Sequence, residues 1–163
     1  MPAIQEFLKA NEDYASSFTK GALALPPARK VAVVVCMDAR IDPARALGLQ
    51  EGDAHVIRNA GGRISDSLRS LTISQTLLGT EEVAIIHHTD CGMLTFSDDD
   101  IRTKLRADKN VDADAVAFLP FKDLDRSVLE DIAVYRASPL GRQDVPVRGF
   151  VYDVRTGRLR EVS

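Results

Sequence analysis

Two cysteines and one histidine carry the chemistry most easily read from this chain. His88 and Cys91 stand at the spacing His-x-x-Cys within Glu81 to Gly92, EEVAIIHHTDCG, and Cys36 is the only other cysteine. Zinc binds thiolate and imidazole tetrahedrally, and a site with three protein ligands keeps a fourth position for water or substrate. The spacing is short enough for His88 and Cys91 to reach one ion from a turn, with Cys36 supplied by a neighbouring segment. One zinc ion per chain on Cys36, His88 and Cys91 makes a catalytic pattern. Cys36 also opens a segment dense in capable groups, Cys36-Met37-Asp38-Ala39-Arg40, in which Asp38 and Arg40 can converge with the thiol on one pocket. A Cys-x5-Arg oxyanion loop is rejected here. Its arginine position is occupied by Asp42, whose carboxylate would repel an anion. His87 points to the opposite side of an extended strand from His88 and reads as a packed or solvated histidine, with a proton-shuttle role as the alternative. His55 has still less to recommend it.

Such groups must be delivered by strand ends. Val83 to Ile86 is an apolar run without polar alternation, which suits a strand covered on both faces, and Val31 to Val35 is a second. Both stop abruptly at the candidate ligands, where open α/β sheets keep their chemistry. Asp42 followed by Pro43 is a helix start, with Gly48 as its stop. His55 to Arg58 reads as a short strand and Asn59-Ala60-Gly61-Gly62 as a flexible turn. The two glycines fit neither dinucleotide nor P-loop spacing, so close backbone packing is their expected role. Ser65 and Asp66 are expected to cap a helix running to Leu78, with Gly79 as its stop. The order strand, helix, strand implies a right-handed parallel unit.

The flanking regions complete the expected architecture. Ile4 to Phe18 carries a weak amphipathic pattern whose apolar side needs a cover, from this chain or from a second copy. Gly21 to Lys30 reads as an extended connector. Ser97 caps a helix at Ile101 to Leu105 with Asp98, Asp99 and Asp100 in its first turn, where the helix dipole favours acids. Lys109 to Ala115 reads as a loop and Leu124 to Tyr135 as a core-facing helix. Arg148 to Val154 and Arg158 to Val162 read as a strand pair around Thr156 and Gly157. The expectation is one α/β domain over residues 1–163: an N-terminal helix and connector over 1–30, then a central, mainly parallel sheet flanked by helices over 31–163, ending in that strand pair.

At 163 residues with 45% hydrophobic content the chain is long enough for one real core and too short for two. A net charge of −3 offers no electrostatic reason for nucleic acid or an anionic membrane as partner. No apolar stretch is long enough to span a bilayer, and Met1 to Tyr14 does not read as a leader. A cytoplasmic protein is expected. In a reducing compartment two cysteines read as free thiols, redox partners or metal ligands.

Cys36-x-Asp38-x-Arg40, then Arg58-Asn59-Ala60-Gly61, then His88-x-x-Cys91-Gly92 resemble the β-class carbonic anhydrases in order and spacing. The likeness runs from Val31 to about Thr95, and Gly149-Phe-Val-Tyr-Asp with Thr156-Gly-Arg-Leu resembles the family's last strand pair. The chain looks like a compact member with a short N-terminal arm. The resemblance implies a zinc lyase interconverting carbon dioxide and bicarbonate through hydroxide held on the metal. It implies a homodimer or higher homo-oligomer with the pocket near a subunit boundary. Cys36, His88 and Cys91 would hold zinc. Asp38 and Arg40 would form the family's catalytic carboxylate and guanidinium pair, and Asp38, released from Arg40, would become a fourth zinc ligand.

Three departures from the family pattern bear on substrate. Ala39 stands where serine is common, and no glutamine before Cys36 other than the remote Gln5 matches the family's substrate-side glutamine. Met93 and Leu94 replace the glycines often found after Cys91-Gly92, which predicts a narrower or more apolar mouth. The resemblance extends to relatives with similar zinc motifs that act on carbonyl sulfide or carbon disulfide, which an apolar mouth would tolerate, so a hydrolase of either is the second reading. A non-catalytic zinc or dithiol protein is the third, and it leaves Asp38 and Arg40 without a purpose.

Overall fold

The two apolar runs lie side by side at the centre of a five-stranded sheet. The computed structural model describes residues 3–162; the ends of the expected domain, Met1, Pro2 and Ser163, lie outside them. The elements in chain order are α1 (Ile4–Ser16), β1 (Val31–Cys36), α2 (Pro43–Leu47), β2 (Ala54–Asn59), α3 (Leu68–Leu77), β3 (Glu82–His88), α4 (Asp98–Lys109), α5 (Leu124–Ala137), β4 (Val147–Tyr152) and β5 (Leu159–Val162). Short 3-10 turns follow β2 at Ala60–Gly62 and β3 at Gly92–Leu94. The strand order is β2-β1-β3-β4-β5. The first four strands run parallel, and β5 returns antiparallel to β4. The expected mainly parallel sheet and C-terminal strand pair are both present.

Alternation along β1 and β3 divides the core into two layers. Ala32, Val34, Val83 and Ile85 pack with Ile64, Leu71 of α3 and Tyr135 of α5. Val33, Val35 and Ile86 pack on the other side with Ile41, Met93, Phe121 and the two cysteines. The second layer therefore continues directly into the candidate site.

Local signals account for several boundaries. Asp42 accepts the Arg45 N–H at 3.2 Å to cap α2, and Gly48 ends it in the left-handed region at φ 63°. Two expected helices have different limits. Instead of starting at Ser65 or Asp66, α3 begins at Leu68, because Asn59 fastens the preceding loop: its side chain accepts the Arg63 N–H at 2.7 Å and donates to the Arg63 carbonyl and to Ser67. α4 starts after the Ser97 cap as expected, with Ser97 and Asp100 forming a capping box, but it spans Asp98–Lys109 and so runs past Leu105 to a left-handed stop at Asn110, φ 52°. Among the described residues α1 buries no side chain, and Phe7 and Leu8 are 62% and 76% exposed. No helix among the described residues is long and apolar enough to cross a membrane.

Candidate metal centre

Parallel register brings the three candidate ligands together. Cys36 ends β1 opposite Asn59 of β2, and His88 ends β3 one strand over. Past His88 the chain turns through Thr89 and Asp90, the latter at φ 56°, and returns Cys91 to the same end of the sheet. One nitrogen of His88 and the sulfurs of Cys36 and Cys91 all lie within 4.8 Å of one another, and all three residues are buried. Metal–ligand bonds of about 2.0–2.3 Å suit such a cluster around a single zinc ion.

The loop after β2 closes over this end of the sheet. Gly61 donates its N–H to Cys36 Sγ at 3.3 Å. Gly62, at φ 68°, passes so near that a Cβ on it would lie 3.0 Å from both the Cys36 nitrogen and the Ile86 carbonyl oxygen. The glycine pair serves close backbone packing, as its spacing suggested, and both residues are in the left-handed region that favours glycine. Arg58 adds a second brace, donating to the carbonyls of Cys36 at 3.1 Å and Asp38 at 2.7 Å.

The donor set fits a metal cation. His88 Nδ1 lies 2.9 Å from the main-chain oxygen of Thr89, which can only accept, so Nδ1 carries the proton and Nε2 presents a lone pair. That Nε2 is buried and has no hydrogen-bond partner among the described residues. An orphaned acceptor at this depth costs free energy unless something binds it. Both cysteines are free thiols. A hydrogen bond from Cys91 pulls the Cys36 thiol down to about 4, against its burial, with His88 and backbone donors adding to the effect. The same bond and burial push Cys91 up. Burial disfavours the charged form of His88, but the neighbouring Cys36 thiolate outweighs this and raises its pKa. Two thiols and an imidazole held this close together can give up protons to a cation bound among them.

Asp38 and Arg40 stand at the rim of the cluster. The Asp38 carboxylate accepts the Arg40 backbone N–H at 2.9 Å, Nε at 2.9 Å and Nη2 at 2.7 Å. These bonds, chiefly those from the guanidinium, hold its carboxyl well below the usual range. Asp38 Oδ2 is also 3.8 Å from His88 Nε2, so the carboxylate borders the ligand cluster. A cavity of about 460 Å³ opens beside it, lined by Cys36, Asp38 and Cys91 and by Met37, Met93, Phe96, Ile101 and Phe118. Its wall is largely apolar, with Met93 in it as expected, whereas Leu94 is not among the lining residues.

The other histidines stay outside this cluster. His87 is fully buried on the α5 side of β3, 2.7 Å from Ser127 Oγ and 3.0 Å from Asp131 Oδ2, with its ring stacked on Phe121. It is a packed histidine, hydrogen-bonded through Asp131 to Arg63. His55 pairs with Ser74 Oγ at 2.7 Å. Sequence reasoning missed Asp90, which takes two further bonds from Arg40, and Arg63, which pairs with Asp131 at 3.3 Å and lies over Phe121. Asp90 lay in plain view inside the His-x-x-Cys motif, and its conformation was the missing signal.

A parallel α/β sheet whose adjacent strand ends present two thiols and an imidazole, with a carboxylate–guanidinium pair at the rim, defines a class of metal-dependent enzyme. The comparisons narrow it. A family model described as carbonic anhydrase matches residues 31–119. Beta-carbonic anhydrase 1 of Mycobacterium tuberculosis is 45% identical over 166 residues, covering 100% of this chain and 99% of that protein. The crystal structure of carbonic anhydrase from Streptococcus mutans superposes with a TM-score of 0.95 at 48% identity, covering 100% of this chain and 99% of that one. A carbon disulfide hydrolase of Acidianus is 34% identical, covering 97% of this chain and 88% of its own length. The chain belongs to the β-carbonic anhydrase family of enzymes.

Proposed function

We propose that this protein catalyses the reversible hydration of carbon dioxide to bicarbonate and a proton, with one zinc ion held by Cys36, His88 and Cys91. The observation that carries the reading is the buried, unpartnered Nε2 of His88 beside two free thiols, with the Asp38 carboxylate at its edge. Bound there, zinc would supply the Lewis acidity that turns a water molecule into a nucleophile near neutral to basic pH, less strongly than on three neutral imidazoles because two thiolates offset its charge.

The chain's own residues supply the rest. Asp38, kept ionised by Arg40, accepts a hydrogen bond from the attacking water and aims its lone pair at the carbon of carbon dioxide. Met93, Phe96 and Phe118 line an apolar approach suited to an uncharged substrate. Arg40 is half-exposed, and its charge beside the site would favour an anionic product such as bicarbonate. Asp38, 3.8 Å from His88 Nε2, is the residue that would hold a fourth position on the metal if released from Arg40. A second copy of the chain is the proposed cover for the apolar side of α1, where Ile4, Phe7 and Leu8 are exposed, and makes the working form a homodimer or larger. Buried free thiols accord with a reducing, cytoplasmic setting.

Carbon disulfide or carbonyl sulfide hydrolysis on the same residues is the second reading, favoured by the apolar mouth and by the similarity to Acidianus carbon disulfide hydrolase. Stopped-flow carbon dioxide hydration by the zinc-loaded protein, at about pH 7 and again near pH 9, tests the choice. Rapid turnover that rises with pH is expected. Carbon disulfide hydrolysis without carbon dioxide hydration would replace the first reading by the second.

A further inference from the structure

Arg40 is gripped from two sides, and one of them has no part in the chemistry above. Nε and Nη2 donate to the two oxygens of Asp38, while Nη1 donates to Asp90 Oδ2 at 2.7 Å and Nη2 also donates to the Asp90 main-chain oxygen at 2.8 Å. We propose that Asp90 is a positioning residue that acts through Arg40: it fixes the plane of the guanidinium, which in turn aims the Asp38 carboxylate. The inference rests on the reading of Asp38 as the group that orients the nucleophile.

Three features set this contact apart from an ordinary surface ion pair, which contributes little. First, the side chain and the main-chain carbonyl of one residue both bind one guanidinium, so its orientation is determined as well as its location. Second, the two anchors come from different strands' ends. Asp38 follows β1 two residues after Cys36, and Asp90 sits in the turn after β3 between His88 and Cys91. Arg40 thus ties together the two segments that carry the ligand cluster. Third, Asp90 holds φ 56°, a left-handed conformation that residues other than glycine, asparagine and aspartate adopt rarely. In that conformation the side chain and the carbonyl both face Arg40.

The mechanical consequence follows from exposure. The Arg40 side chain is 47% exposed, and a long half-exposed side chain held at one end retains much of its rotamer freedom. With Asp90 in place, four hydrogen bonds use Nε and both terminal nitrogens, and the guanidinium has nowhere to swing. Without Asp90, Arg40 and Asp38 are free to move as a pair. Small displacements of an orienting group lower turnover more than affinity.

The test uses zinc-loaded Asp90→Asn and Asp90→Gly. Asparagine keeps the left-handed turn and a neutral acceptor; glycine keeps the turn and the carbonyl and removes the side chain. Both variants should retain one zinc per chain and lower kcat for carbon dioxide hydration by about 3- to 10-fold with KM nearly unchanged. In an Arg40→Ala background, Asp90→Gly should lower kcat no further, because the route through Arg40 is already gone. A readout independent of turnover is the rotation of the Arg40 guanidinium about Cζ–Nε, followed by arginine side-chain NMR: slow in the unaltered protein, fast in Asp90→Gly. Unchanged kcat with a still-rigid Arg40, an equal loss of kcat with and without Arg40, or loss of zinc in both variants would each overturn the proposal. Absence of carbon dioxide hydration in the unaltered protein would defeat the proposed function instead, and the NMR comparison would still decide whether Asp90 holds Arg40.

Discussion

Alanine at Gly62 should damage the metal centre without touching any ligand. The added Cβ would sit 3.0 Å from the Cys36 nitrogen and from the Ile86 oxygen, and 3.1 Å from the Val35 carbonyl carbon. All three are backbone atoms of the strands that present Cys36 and His88, so nothing at that point can rotate aside. Holding alanine at φ 68° costs about 1–2 kcal/mol. Overpacking against rigid backbone costs about 1–3 kcal/mol more. A total of about 2–5 kcal/mol corresponds, for a chain of this size, to a fall in Tm of roughly 5–20 °C. Gly61→Ala is the control. Its Cβ would meet the side chains of Met93 at 3.0 Å, Phe121 at 3.3 Å and Arg63 at 3.4 Å, which have more freedom to adjust. Thermal unfolding of the zinc-loaded proteins, read by circular dichroism alongside zinc content, should rank Gly62→Ala well below Gly61→Ala, with zinc lost first from Gly62→Ala. A Gly62→Ala protein within about 1 kcal/mol of the unaltered chain, or a more damaging Gly61→Ala, would refute the view that backbone contact at this glycine builds the site.

Three further outcomes follow from the same geometry. Cys91→Ser should lose zinc and activity together, because a neutral hydroxyl is a poor zinc ligand; full metal retention by elemental analysis would remove Cys91 from the coordination set. Asp38→Asn should keep zinc yet lose hydration activity on the order of 10²-fold, and unchanged turnover would mean that Asp38 does not orient the nucleophile. Asp38, Asp90, Asp125 and Asp153 all have carboxyls held below their ordinary range, by arginine side chains at the first three and by backbone N–H groups at Asp153. The folded state therefore binds fewer protons than the unfolded one. The stability these groups contribute is present above the ordinary carboxylate range and drains away as pH falls through their folded values. Urea unfolding should show stability dropping steadily below about pH 5, and a constant unfolding free energy down to about pH 3.5 would contradict that.

How much of this could be read beforehand depended on whether the cause was local. The apolar runs of β1 and β3 need no partner to be recognised, since only a strand covered on both faces tolerates such continuity. Asp42-Pro43 and Gly48 act within one turn of chain, and α2 begins and ends where they stand. The Cys-His-Cys cluster was legible because its ligands lie at the ends of adjacent parallel strands. The start of α3 was not, because Asn59 sets it from the preceding strand end by bonds to Arg63 and Ser67. Nor was the setting of His87: Ser127 and Asp131 reach it from 40 and 44 residues away, once α5 has packed on the sheet. The hold of Asp90 on Arg40 spans 50 residues and depends on one left-handed backbone angle. The α1 helix is a different case. Its amphipathic pattern was visible, but its cover is not supplied by the described residues of this chain.

If the two strand ends assemble one zinc site from Cys36, His88 and Cys91 with a fourth position left over, the metal must have a mixed shell of sulfur and lighter atoms. X-ray absorption at the zinc edge of the stoichiometrically loaded protein reads that shell. Two sulfur neighbours at about 2.3 Å and two nitrogen or oxygen neighbours at about 2.0–2.2 Å are expected, one from His88 and one in the fourth position. A shell of four sulfurs, a shell of light atoms alone, or failure to hold one equivalent of zinc would contradict that assembly.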